Sequence, residues 1–198
     1  MTSESTVAPP EILTYAYRPS LLGAPYEFRL DARGLGWSVG RKTGFALWRS
    51  IYRVRLSFRP ASMQPHRFVT EVWAEGAPKL VIMSTSWKSM VEQERLDQSY
   101  ASFVRALHRR LGEAQASTRF EQGTNPLLYW PGLAVFVIVA FALAALCVRA
   151  LQVQAPGAAA FVAIFLALFL WRAGEFFRRN RPRRYRGDVL PAALMPNI

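Results

Sequence analysis

The chain has 198 residues, 52% of them hydrophobic, and carries a formal net charge of +12. Its one cysteine, Cys147, excludes an intramolecular disulfide, and its two histidines, His66 and His108, are far apart and lack paired acids, so they make no metal or acid–base site. Lysine occurs only at Lys42, Lys79 and Lys88, and every other basic side chain is arginine, a bias associated with GC-rich bacterial genomes.

Residues 1–11 (MTSESTVAPPE) lack the basic and apolar regions of a secretory signal and read as a short disordered leader. Strands follow. Ile12–Tyr17 and Tyr26–Leu30 are apolar and alternating; Arg33-Gly34 is turn chemistry, and Leu35, Trp37 and Val39 recur at period two. Arg41–Gly44 is expected to be a turn. Ile51–Arg59 (IYRVRLSFR) sends Tyr52, Val54, Leu56 and Phe58 to one face and Arg53, Arg55 and Arg59 to the other, which predicts one core face and one wet, basic face. A loop with Pro60, Pro65 and His66 leads to strands Phe68–Ala74 and Leu80–Ser84 around a Gly76–Pro78 turn.

The period then changes. Leu96, Tyr100, Phe103, Val104, Leu107 and Leu111 lie on one helical face, and Ser89-Met-Val-Glu92 fits a capping box, so a helix is expected over Val91–Glu113. Some six strands and one closing helix describe an α+β domain with a bent sheet or open barrel. From Ile12 to Glu113 the chain resembles the bacterial pleckstrin-homology-like (PH-like) group. The resemblance is carried by the strand succession, by GFALWRSIYRVRL (44–56) and by the closing helix YASFVRALH (100–108). It implies a PH-like domain over residues 12–113 that serves binding, not catalysis.

Residues 114–126 are small and polar and read as a linker, ending in the helix-start signal Asn125-Pro126. Two apolar runs follow, each long enough for a bilayer core that takes roughly 20 helical residues. The first spans Leu127 to Val148 and the second starts at Pro156, reaches Trp171 and has an interfacial end to residue 177; residues 149–155, with Arg149, are the turn between them. Ala140 and Ala144, and Ala159, Ala163 and Ala167, recur at intervals of four and suggest a helix–helix seam. The tail, 178–198, is basic and Pro-rich. Its arginines Arg178, Arg179, Arg181, Arg183, Arg184 and Arg186 predict a cytoplasmic tail, and a hairpin then puts both termini in the cytoplasm of a bacterial inner membrane. Tyr129, Trp130, Trp171 and Arg172 are the expected interfacial anchors.

The function expected is a membrane-anchored scaffold or adaptor, not an enzyme, with no cofactor and no metal. The alternatives are an accessory subunit of a membrane enzyme or transporter complex, and an anionic-lipid-sensing module. The tail arginines are expected to meet anionic lipid headgroups, and Arg53, Arg55 and Arg59 to meet lipid or a protein partner. A protein partner or a homo-oligomer is expected; nucleic acid is not, because the hairpin holds the charge at a membrane and no aromatic-basic platform is visible. The glycines Gly34, Gly36 and Gly40 miss dinucleotide-binding spacing, and Ser84, Ser86 and Lys88 lack the supporting residues of a nucleophile. Val189–Met195, apolar between prolines, is expected to lie along the membrane or dock onto the domain.

Overall fold

Alternation shapes the first sheet. In β1 (Leu13–Tyr17) and β2 (Tyr26–Leu30) every second residue turns inward, leaving Tyr15, Tyr17, Phe28 and Leu30 almost wholly buried. These strands pair antiparallel in chain order with β3 (Gly34–Val39) and β4 (Lys42–Leu47). Val39 faces Lys42 across the two-residue turn Gly40-Arg41, in which Gly40 takes a φ of +64° that a side chain would strain. The turn expected at Arg41–Gly44 therefore sits earlier, and Lys42, Thr43 and Gly44 belong to β4.

The computed structural model describes residues 12–60, 67–89 and 92–196. The expected leader, the loop residues Pro65 and His66, and Met90 and Val91 of the expected capping box lie outside the described residues.

β5 (Ile51–Phe58) pairs antiparallel with β6 (Phe68–Ala74), which pairs with β7 (Leu80–Met83). A bulge between Ile51 and Arg53 breaks the alternation, so Ile51 and Val54 are both fully buried and Tyr52, expected on the core face, is 45% exposed. The opposite face is not wet. Ser57 and Glu71 on it are buried, and Arg53 and Arg55 lie over the Trp73 ring at 4.9 and 5.4 Å.

The helix expected from Val91 begins at Asp97. Thr85–Trp87 (β8) and Gln93–Arg95 (β9) pair as a small ribbon instead. Ser89 Oγ does accept the Glu92 N–H at 3.1 Å, but the Glu92 carbonyl also accepts from the N–H groups of Lys88 and Ser89, which closes a hairpin where a helix start was expected. In α1 (Asp97–Glu113) Tyr100, Phe103, Val104, Leu107 and Leu111 form the buried stripe. Each large side chain buried there contributes about 1.5–3 kcal/mol. The Tyr100 hydroxyl is satisfied by Thr70 Oγ1 at 2.7 Å. The four-stranded sheet and the sheet containing β5–β7 pack around this stripe and share no backbone ladder among the described residues, so the barrel is not closed; the Tyr15 and Tyr17 hydroxyls of β1 bridge the gap by donating to the Met83 and Val81 carbonyls at 2.5 Å.

The linker expectation is corrected, and of the two placements expected for Val189–Met195 the structure has the docked one. Arg119–Gln122 is a strand, β10, parallel to β5, with Phe120 opposite Val54 and Glu121 opposite Arg55. Arg183–Arg184 is a short strand, β11, antiparallel to β10, so the second sheet runs β11-β10-β5-β6-β7. A 3-10 turn at Ala192–Leu194 then delivers Leu194 (1% exposed) and Met195 (7%) into the main core. The tail docks onto the domain, and the globular unit takes in segments from both sides of the hairpin, so it does not end at residue 113.

Between those segments stand α2 (Pro126–Gln152) and α3 (Pro156–Arg179), about 40 and 36 Å long at 1.5 Å per residue. Both outrun the expected spans, and Arg149 belongs to the last turn of α2, leaving residues 153–155 as the connection. Their most apolar stretches are 0% and 6% buried within the protein, unlike the core helices of soluble domains, so these are two candidate membrane spans. The helices meet along Ala159, Val162, Leu166 and Phe169, spaced three and four apart. Phe136 sits 5.1 Å from both Phe169 and Phe177. Ala163 and Ala167 are exposed, because a strict interval of four drifts about 40° per step off a helical seam.

Candidate functional site

The junction between sheet and hairpin holds the chain's most concentrated polar chemistry. β10 reaches α2 through Gly123, Thr124 and Asn125 alone, and Asn125 Oδ1 accepts the Leu127 N–H at 3.2 Å to start that helix. Where α3 ends, the fully buried Asn180 plugs into the sheet. Its Oδ1 accepts the Phe58 N–H at 3.0 Å, and its Nδ2 donates to the Phe58 carbonyl at 2.6 Å and the Phe176 carbonyl at 3.1 Å. The carboxamide thus acts as a further peptide of the ladder beside β5, one step past the bond from Gly123 N–H to the Leu56 carbonyl. The Asn180 carbonyl accepts from Thr124 N–H at 3.0 Å. A Cβ on Gly123, whose φ is +82°, would come within 2.3 Å of that carbonyl oxygen, so a glycine is required at this crossing.

Past Asn180 the tail is pinned again. Tyr185 stacks near Phe120 and His108, and its hydroxyl lies 2.8 Å from His108 Nε2. His108 Nδ1 is 2.7 Å from the Val104 carbonyl and must donate there, so Nε2 accepts and Tyr185 donates. Burial pushes the His108 pKa down from its ordinary value and the Tyr185 pKa up. His108 is therefore the buried latch of the tail.

The expected basic stripe is mostly self-neutralised. Arg55 meets Glu121 at 2.6 Å with both side chains largely buried, and Arg59 meets Glu71 at 2.8 Å, where Lys79 joins at 3.1 Å. Arg53 lies over Trp73. Ser84 and Ser86 accept backbone N–H groups of Phe68 and Arg18, and Lys88 faces Glu92 at 3.9 Å.

The tail arginines divide. Arg179 pairs with Glu175 at 2.8 Å and covers the Phe58 ring, and Arg186 pairs with Asp188 at 3.1 Å. Arg183 and Arg184 are the β11 residues. Arg178, Arg181 and Arg183 have no ion pair among the described residues and line one cavity of about 570 Å³. Its opposite wall is Tyr129, Trp130, Leu133 and Phe177, at the end of the hairpin nearest the sheets. Arg178 and Arg179 also line a neighbouring cavity of about 620 Å³ with Arg95 and Met195. Of the expected anchors, Trp130 and Trp171 are exposed at 58% and 66%, and Arg172 is exposed. Tyr129 is instead a packing residue, buried to 6%, with its hydroxyl donating to the Phe177 carbonyl at 3.2 Å. Leu127 and Val148 lie within α2, Pro156 opens α3 and Trp171 is inside it.

The sequence reading missed Asn180 and Tyr185. Their signals were an asparagine just after an apolar helix and an aromatic amid arginines. No family model, no curated protein and no solved structure matches the chain.

Proposed function

We propose that this protein is a non-enzymatic scaffold or adaptor of a bacterial inner membrane. A PH-like domain is held against the cytoplasmic face by a hairpin that anchors it. One observation carries the reading. The hairpin is bonded into the sheet at both ends, through the short Gly123–Asn125 connection and through Asn180, and so presents the domain in a fixed attitude. A fixed surface suits recognition of a partner, because less freedom is lost on docking. The PH-like assignment is supported by the four-stranded sheet followed by the β5–β7 meander and one closing helix. The orientation is supported by the seven arginines from Arg172 onward, against Arg149 alone at the far end.

The test is purification of tagged full-length protein in mild detergent from its native membrane, with reporters at each terminus. A stoichiometric protein partner and two termini inaccessible from outside are expected. Extraction of the protein by alkaline carbonate would refute the anchoring, and labelling of either terminus from outside would refute the orientation. Purification without a partner would refute the adaptor role.

A further inference from the structure

We infer that the cavity between the sheet-proximal end of the hairpin and the tail binds the phosphate of an anionic phospholipid, with Arg178, Arg181 and Arg183 as its ligands. This rests on the membrane insertion proposed above. The first argument is charge. Among the described residues no carboxylate lines the cavity and the three guanidiniums have no ion pair. Guanidinium groups bind phosphate oxygens bidentately, and a cavity of about 570 Å³ lies within the ~300–1,000 Å³ range of small-ligand sites.

The second argument is position. Trp130, Leu133 and Phe177 wall the cavity and belong to the hairpin, whose neighbouring Leu127 and Leu128 are exposed at 80% and 69%. A phosphate held by the arginines would have its glycerol against Trp130 and its acyl chains along that apolar surface. A free phosphate would use the arginines and leave the apolar wall without purpose. Basic pockets beside membrane helices on the cytoplasmic side are suited to such headgroups. The arginine tethers are firm: Arg178 precedes the stapled Asn180 by two residues, and Arg183 is in the β11 ladder.

The experiment is native mass spectrometry of the full-length protein released from nanodiscs containing phosphatidylglycerol and phosphatidylcholine. Wild type should retain phosphatidylglycerol selectively, in the presence of excess inorganic phosphate. The triple variant R178Q/R181Q/R183Q should lose roughly a hundredfold in retention, since each arginine near a membrane adds about a fivefold factor. R178K/R181K/R183K, which keeps the charge and loses the bidentate fork, should retain an intermediate amount, and R41Q/K42Q/R49Q, which removes equal charge elsewhere, should match wild type. A photoreactive phosphatidylglycerol, used on wild type, should cross-link to the peptides carrying Trp130 and Arg178–Arg183, a readout independent of whether the variants fold. Equal retention of both lipids, displacement by inorganic phosphate, loss in the Arg41 variant alone, or cross-links spread evenly along the hairpin would each overturn the site. An integral protein without lipid preference would refute the cavity while leaving the anchor intact; carbonate-extractable protein would refute the anchor first.

Discussion

Asn180 concentrates in one side chain what usually takes a strand. Replacing it by Ala leaves the buried N–H and C=O of Phe58 without partners. At about 1–3 kcal/mol for each unsatisfied group, N180A should cost roughly 2–5 kcal/mol. Thermal unfolding in detergent reads this, and N180D, which turns a carboxylate oxygen against the Phe58 and Phe176 carbonyls in a fully buried site, should cost at least as much as N180A; an unchanged melting profile for N180A would show the staple to be idle. His108 makes the second residue-level prediction. Its pKa is depressed in the fold by burial, below the 6.5 of a free imidazole. Above pH 6.5 both folded and released forms are neutral and the latch is at full strength; as pH falls from there towards the depressed value, the released form takes the proton and stability is lost. Wild type should therefore lose stability between about pH 7 and pH 5 relative to H108F, and parallel pH profiles for the two would contradict the linkage.

Strand β10 and the tail set what was legible at the level of elements. Strong alternation made β1 and β2 readable almost to the residue, β6 was readable as a β-rich run bounded by turns, and the stripe from Tyr100 to Leu111 made α1 readable. Arg119–Gln122 was not, because it has one apolar residue, Phe120, and owes its strand to parallel pairing with β5 and to the Arg55–Glu121 bond, contacts distant in sequence. The basic stripe misled for the same reason: the carboxylates that answer Arg55 and Arg59 lie on other strands. The junction cavity was half legible, since its arginines were identified and its aromatic wall was assigned to the lipid interface. The tail gives this scale its prediction. Deleting Gly187–Ile198 empties the sites of Leu194 and Met195, each worth about 1.5–3 kcal/mol when fully buried, and should lower the unfolding free energy by roughly 3–6 kcal/mol. Retention of the wild-type melting point by the truncated chain would mean that these contacts contribute little.

At the scale of the molecule, hydropathy alone marks the two candidate spans, because a helix long enough for a bilayer core must be apolar along its length whatever distant contacts it makes. What hydropathy did not convey is that the globular unit is sewn through the hairpin, with β10 before it and β11, Tyr185 and Leu194 after it. That stitching has a consequence for biogenesis. A ribosome delivers β1–β10 first, then both apolar helices, and only afterwards the residues that close the core, so the domain is finished last, after both helices have been made. Until then the slots for Leu194 and Tyr185 stand open. A chain whose two helices fail to bring the tail back beside β10 would be left with those slots unfilled and its core exposed.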